Sequence, residues 1–262
     1  MRPDDYFGRL GWRHELWQYV RLYHSILTRK HQKEELLDKG TFGPHVVPPD
    51  LLDLLRSYIT YREQALDQAL SLLRTEEEAN RFCDEIGVSV GVTATQSQDH
   101  HQSTKPMVAA VSYIADRVAA EYGKPVDTNP TRSCLWTKYG PLTVTARNLD
   151  GALPRLENPV VIWEIKEYWG KTKGGSKMSD ALYECLLVGM ELRLMEEQTG
   201  ERIAHVALLD GREQWGHRLS DLRRFIDILN QGLLDALIIG KEVEYEWESL
   251  LDDILRHHYE PR

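Results

Sequence analysis

Residues 160–170, VVIWEIKEYWG, decide how this chain can fold. The stretch opens with four apolar residues, as a strand buried on both faces does, and then carries Glu164 and Lys166 with one residue between them. Side chains of a strand alternate between its two faces, so Ile162, Glu164 and Lys166 share one face and Glu167 lies on the other. We therefore expect a central strand whose second half leaves the core and presents a carboxylate and an ammonium side by side.

A second acidic residue is predicted to lie on the same side of the sheet. Residues 141–150, PLTVTARNLD, alternate as a strand and place Asp150 on its apolar face, at the end of the strand. If this strand pairs with the next one, Asp150 meets Glu164 and Lys166. Two converging carboxylates suit a hard cation such as Mg²⁺, which activates water and offsets charge on a phosphate. A neighbouring lysine can position or deprotonate that water and counter charge on phosphorus. Phosphodiester hydrolysis needs these parts.

The elements around this cluster predict an α/β (α+β) fold, with a mixed sheet flanked by helices. The order α-β-β-β-α-β comes from a helix over 107–123, strands over 132–140, 141–150 and 158–170, a helix over 176–200 and a strand over 202–211. The two strands that meet at Gly140-Pro141 are predicted to form a hairpin. A helix, a short strand and a closing helix follow over 218–258.

The first 92 residues predict a helical N-terminal region. Trp12, Leu16 and Tyr19 begin an apolar stripe at helical spacing, and Thr75 with Glu78 forms a capping-box pattern. Residues 93–106 are polar and lack periodicity, which indicates a linker or mobile loop. We therefore expect a helical region over 1–92, for oligomerisation or for contact with DNA or a partner, and a sheet domain over 107–262.

Asp150 at a strand end, followed by Glu164-x-Lys166 on the next strand, resembles the PD-(D/E)xK nuclease superfamily. That superfamily includes many restriction endonucleases, repair nucleases and resolvases, and its restriction endonuclease-like core has the order α-β-β-β-α-β. The likeness covers about residues 107–209. One departure is that Asn148-Leu149-Asp150 stands where the pattern nominally has Pro-Asp.

The resemblance implies a Mg²⁺-dependent DNA endonuclease of restriction or phage-defence type, in which Mn²⁺ can substitute. A DNA repair or recombination nuclease is one alternative. A noncatalytic nucleic-acid-binding or protein-interaction module on the same fold is another. By position, Asp150, Glu164 and the carbonyl of Ile165 are implied to bind the metal, and Lys166 is implied as the catalytic lysine.

Further residues are candidates for supporting roles. Some members of the superfamily add an acidic residue from the first core helix, for which Glu121 is the candidate, and Glu184 on the crossover helix is a second candidate. An acidic protein that binds DNA needs local positive charge, and helix starts with lysines suit phosphate contact. The candidates for contact with the DNA backbone are Arg147, Lys171, Lys173 and Lys177.

The cluster also has a purely structural interpretation. Asp150-Gly151 is a common turn dipeptide, so Asp150 could be a turn residue, with Glu164 and Lys166 forming a solvated ion pair on a strand end. The two interpretations differ in whether Asp150 lies inside the sheet beside Glu164.

Composition limits the class of protein. The formal net charge of −9 argues against a polyanion binder that works by bulk charge, but leaves room for a nucleic-acid enzyme with a metal site. No apolar run is long enough to span a membrane, and the first residues lack a signal-peptide core.

Three widely spaced cysteines indicate neither a disulfide framework nor a zinc site, so a reducing cytoplasm is expected. Cutting both strands of a duplex generally needs two active sites, so a homodimer is expected.

Overall fold

The computed structural model describes residues 1–91, 104–138, 140–170 and 175–259. Its helices in this part of the chain are α1 Leu16–Ser25, α2 Lys30–Glu34, α3 Pro49–Leu72, α4 Glu76–Glu85, α5 Pro106–Glu121, α6 Gly175–Thr199, α7 Arg212–Gly216, α8 Leu219–Asn230 and α9 Trp247–Tyr259. Its strands there are β1 Thr41–Phe42, β2 His45–Val46, β3 Asp127–Arg132, β4 Leu135–Trp136, β5 Thr143–Val144, β6 Leu149–Leu153, β7 Val161–Glu167, β8 Ala204–Asp210 and β9 Ala236–Ile239.

The centre of the described structure is a five-stranded mixed sheet with the strand order β3-β6-β7-β8-β9. The β3–β6 and β6–β7 pairs are antiparallel, whereas the β7–β8 and β8–β9 pairs are parallel. Strand β7 is therefore central, as its apolar first half predicts, and α6 provides the crossover to β8 that a parallel pair requires.

Helices cover both faces of the sheet. Helices α5 and α9 pack on the face that carries Trp163, and they enclose a core with β8 and β9. Helices α6 and α8 pack on the opposite face, which carries Ile162 and Ala207. The predicted mixed sheet flanked by helices is confirmed at this level.

The N-terminal helices pack on the sheet layer through α3. The first half of α3 joins α1 in an aromatic cluster around Trp17 and Tyr58, and its second half joins the core of α6 and α8. The hydroxyl of Tyr58 donates to Asp227 of α8 at 2.8 Å. The long 24-residue helix thus contributes to two clusters, because its apolar stripe continues along both halves.

The predicted capping box at the start of α4 is confirmed. The Thr75 hydroxyl accepts the backbone N–H of Glu78 at 3.2 Å, and the Glu78 carboxylate accepts the N–H of Thr75 at 2.8 Å. These bonds satisfy two amide groups that the first helical turn leaves unpaired.

The predicted strand over 141–150 is wrong in its extent. Within it, Thr143–Val144 pairs with Leu135–Trp136 in a short separate hairpin, and only the last two residues, Leu149 and Asp150, belong to the main sheet. The strand that pairs with β7 is β6, and it begins where the predicted strand ends. Asp150 is consequently the second residue of a strand, not its last.

The edge strand β3 was not predicted. Its sequence, DTNPTR, is poor in strand-forming residues. Proline is tolerated on an edge strand, and the pairing with β6 is irregular between Thr128 and Arg132. The order α5-β3-β6-β7-α6-β8 has the α-β-β-β-α-β pattern, but its first strand is β3 and not the predicted strand over 132–140, which contributes only to the β4–β5 hairpin inserted after β3.

Gly151 lies inside β6 and is not part of a turn. It pairs with Thr128 on one side and Trp163 on the other. A Cβ atom at this position would lie 1.9 Å from Cε2 of the Trp163 ring, so only glycine leaves room for the indole ring. The interpretation of Asp150-Gly151 as a turn is therefore wrong.

The predicted linker over 93–106 lies mostly outside the described residues. The structure describes it only from Thr104, whose N–H donates to Glu76 at 2.9 Å, and α5 begins at Pro106. The proposed division of the chain at this segment stays a prediction. Among the described helices, none has the length and apolarity needed to cross a bilayer.

Candidate active site

Strand pairing brings Asp150 beside Glu164. Gly151 faces Trp163 and Ala152 faces Ile162 in the antiparallel β6–β7 pair, and one further step in this register sets Asp150 opposite Glu164. Opposed residues of an antiparallel pair project to the same face, with Cα atoms about 4.5–5.5 Å apart. The backbone N–H of Ile165 donates to Oδ2 of Asp150 at 2.7 Å, which fixes this carboxylate at the strand.

Lys166 lies between two carboxylates. Its Nζ is 2.7 Å from Oε2 of Glu164 and 2.9 Å from Oε2 of Glu184, which α6 places over this face of the sheet. Glu184 also pairs with Arg147, which lies just before β6. The side chain of Glu164 is only 2% exposed. The interpretation of a solvated ion pair on a strand end is therefore wrong, because this pair is buried.

The charges of the cluster are set by burial and by these partners. Burial raises the pKa of Asp150 above its ordinary value, although the Ile165 N–H and Lys166 act against the rise. Burial also acts to raise the pKa of Glu164, but the Lys166 ammonium at 2.7 Å holds the pKa below the ordinary value. Burial acts to lower the pKa of Lys166, yet Glu164 raises it well above normal. Lys166 is therefore a cation at neutral pH.

The cluster offers oxygen ligands to a metal ion. The carboxylates of Asp150, Glu164 and Glu184 lie near Lys166, while Arg147 pairs with Glu184 and Lys105 acts electrostatically on Asp150. Oδ1 of Asp150 has no hydrogen-bond partner within the described ranges. Carboxylate oxygens are the ligands that Mg²⁺ prefers, so the donor set at Asp150 and Glu164 fits a hard divalent ion.

Glu167 lies on the other face of β7, as the strand alternation predicts. Its Oε2 accepts the N–H of Met107 at the start of α5 at 3.0 Å and the indole N–H of Trp169 at 3.2 Å. Burial raises the pKa of Glu167 to about 7. Glu167 thus anchors helix α5 to the end of β7 and does not join the cluster around Lys166.

Two residues that the sequence did not single out lie directly behind Glu164. His205 of β8 and Cys185 of α6 are buried, and their ligand atoms and a carboxylate oxygen of Glu164 all lie within 4.8 Å of one another. His205 stands in an apolar parallel strand, and this polar interruption is the signal from which it could have been found. No spacing rule links Cys185 to either partner.

The remaining predicted site residues differ in whether the structure places them at the cluster. Glu184 joins the cluster, whereas Glu121 is the last residue of α5, fourteen positions beyond Met107 and so about 21 Å along the helix. The structure does not bring Glu121 to the cluster. Arg147 is already engaged by Glu184. The predicted phosphate contacts Lys171 and Lys173 lie outside the described residues, and Lys177 lies in α6 with a side chain that is also outside them.

Comparison with known sequences identifies one family. No curated protein and no solved structure matches the chain. A family profile described as "Domain of unknown function (DUF7687)" matches residues 67–254, a span that contains Asp150, Glu164, Lys166, Cys185 and His205. Since this match covers well over half of the sequence, the chain belongs to the DUF7687 family.

Proposed function

We propose that this protein is a metal-dependent nuclease that hydrolyses DNA phosphodiester bonds, of restriction or phage-defence type. The observation that carries the proposal is the β6–β7 register, which sets Asp150 opposite Glu164 with Lys166 on the same face. The order α5-β3-β6-β7-α6-β8 and the antiparallel-then-parallel sheet support a restriction endonuclease-like core.

Mg²⁺, or Mn²⁺ in its place, is the proposed cofactor. Asp150, Glu164 and the carbonyl of Ile165 would hold the ion, with Glu184 as a nearby carboxylate. When bound, such an ion lowers the pKa of a coordinated water and offsets charge on a phosphate oxygen. Among the described residues, Oδ1 of Asp150 has no hydrogen-bond partner, which supports a cation at this place.

Lys166 is proposed to act as a charge and not as a base. Two carboxylates hold it protonated, so at neutral pH its ammonium can donate hydrogen bonds but cannot accept a proton. In this role it would orient the attacking water or stabilise negative charge that develops on the phosphoryl oxygens.

DNA is the proposed partner, and a homodimer is proposed because duplex cleavage generally needs two active sites. The cytoplasm is the proposed location, consistent with three buried free cysteines in the described structure.

A noncatalytic module is the second candidate function, and one observation favours it. Glu164 is almost fully enclosed and its Oε2 is ion-paired with Lys166, so a metal ion bound at this oxygen requires the pair to open. A nucleic-acid-binding or interaction module would need no such opening.

The decisive experiment compares cleavage of plasmid, single-stranded and branched DNA in Mg²⁺ and in Mn²⁺. Asp150→Asn is the primary variant, because an amide oxygen can still accept the Ile165 N–H while the carboxylate charge is lost. Glu121→Gln is the matched control, an acidic residue at the far end of α5. We expect Asp150→Asn and Lys166→Ala to lose about 10²–10³-fold or more in rate, and Glu121→Gln to retain the activity.

The pattern of products separates the alternatives. Discrete plasmid fragments indicate a restriction enzyme, whereas cutting confined to branched DNA indicates a repair or recombination nuclease. If the wild-type protein cuts none of these substrates in either metal, or if Asp150→Asn cuts as fast as wild type, the nuclease proposal is wrong.

A further inference from the structure

Three buried ligand atoms lie close together around Glu164, whose Oε2 contacts Lys166 and whose Oε1 faces His205. Oε1 of Glu164 is 3.8 Å from Nε2 of His205, and Sγ of Cys185 completes a group in which all three ligand atoms lie within 4.8 Å of one another. Glu164 is 2% exposed, and His205 and Cys185 are fully buried. The three residues come from β7, β8 and α6, so the tertiary fold brings them together.

Two of these atoms face each other without a hydrogen-bond donor between them. Nδ1 of His205 lies 3.2 Å from the carbonyl oxygen of Leu233, and because a carbonyl can only accept, Nδ1 carries the hydrogen. Nε2 of the neutral ring is then an acceptor. Nε2 of His205 and Oε1 of Glu164 are both buried and lack hydrogen-bond partners in the described structure. Buried acceptors left in this state cost free energy, which a ligand between them would recover.

A metal ion satisfies both atoms, whereas a single proton does not. A proton on Nε2 cannot form a normal hydrogen bond across 3.8 Å. Tetrahedral Zn²⁺, with bonds of about 2.0–2.3 Å, separates its ligand atoms by about 3.3–3.7 Å. Ligand atoms that now lie up to 4.8 Å apart would therefore approach one another by about 1–1.5 Å through side-chain rotation. The bond from Nδ1 of His205 to a backbone carbonyl is the orientation that metal-binding histidines commonly have.

We propose that Glu164, Cys185 and His205 form a buried site for Zn²⁺. The thiol and imidazole select a borderline or soft ion, since Mg²⁺ takes oxygen ligands. Zn²⁺ bound to two anionic ligands and one neutral ligand gives a neutral site, which suits burial. Binding releases the thiol proton of Cys185 to solvent. The proposal does not depend on nuclease activity, although the two sites share Glu164.

The test is a titration of the full-length, metal-stripped protein with Co²⁺ as a spectroscopic probe. We expect one equivalent of Co²⁺ to give a thiolate-to-cobalt charge-transfer band that Zn²⁺ then abolishes. Cys185→Ser removes the band, and His205→Asn weakens binding by more than the roughly 10–100-fold typical of changes to outer-shell partners. Cys134→Ser is the matched control, because Cys134 is equally buried but lies outside this group.

A second measurement, of melting temperature, distinguishes a variant that cannot bind Zn²⁺ from one that does not fold. Zn²⁺ raises the melting temperature of wild type and of Cys134→Ser, since it binds only the folded state, but leaves that of Cys185→Ser unchanged. Asp150→Asn keeps the band, which separates this site from the proposed nuclease site. The proposal is overturned if wild type gives no thiolate band, if Cys185→Ser retains it, or if Asp150→Asn abolishes it.

Discussion

Replacing Lys166 by Met tests the charge arrangement of the site most directly. Lys166 is the cation closest to Glu164, at 2.7 Å, and the only other cation candidate in the described surroundings is His205 at 3.8 Å. Its removal leaves the Glu164 carboxylate, which is 2% exposed, without its ion-pair partner. A buried charge without its partner lowers the unfolding free energy by about 3–5 kcal/mol. Glu184 adds little to this cost, because it is 22% exposed and keeps Arg147.

The converse substitution is expected to cost less. In Glu164→Gln, Lys166 still pairs with Glu184 at 2.9 Å, so no buried charge is stranded. We expect a loss of about 1–2 kcal/mol from the altered hydrogen bonding alone. The double variant Glu164→Gln/Lys166→Met is expected to be more stable than Lys166→Met, with a coupling free energy of about 1–3 kcal/mol.

The assay is urea unfolding of the four proteins, followed by circular dichroism in EDTA, with unfolding free energies taken by linear extrapolation. The difference in unfolding free energy between wild type and Lys166→Met should decrease as the pH falls. The reason is that Glu164, which has lost its ion-pair partner in the variant, takes up a proton. The reasoning is refuted if Lys166→Met costs less than about 1 kcal/mol, or if Glu164→Gln costs as much as Lys166→Met.

Two further predictions concern the packing and charge of the core. Gly151→Ala should cost about 1–3 kcal/mol or more, because its Cβ would overlap the Trp163 ring, whereas Gly216→Ala, which meets open space, should be nearly neutral in the same urea assay. Burial raises the pKa of Asp227 to about 6, so between about pH 4 and pH 6 the unfolded chain releases a proton that the folded chain keeps. Stability should therefore fall by at most about 3 kcal/mol as the pH rises through this window, and Asp227→Asn should remove that part of the slope. An unchanged slope in Asp227→Asn, or a Gly151→Ala protein as stable as wild type, would contradict these assignments.

Local patterns in the sequence determined much of the site. The alternation in β7 put Glu164 and Lys166 on one face and Glu167 on the other, and the structure confirms this, because the alternation is a property of any extended chain. The capping box at Thr75 was equally readable, since its bonds span only three residues.

Other features depended on which segments pack together. The sequence placed Asp150 at the end of a strand that begins near Leu142, whereas β6 starts at Leu149 and is flanked by the edge strand β3. Strand limits follow from pairing partners and from the steric demand of Trp163 on Gly151, neither of which a local pattern encodes.

The sequence by itself therefore determined strands β7 and β8, the helices that flank them, and the face on which Glu164 and Lys166 lie. Only the tertiary structure decided that Glu164 is buried, with Lys166 at one carboxylate oxygen, His205 facing the other and Cys185 close by. The physical reason is distance along the chain: Glu164, Cys185 and His205 lie on three separate elements, and only the docking of α6 on the β7–β8 pair brings them together.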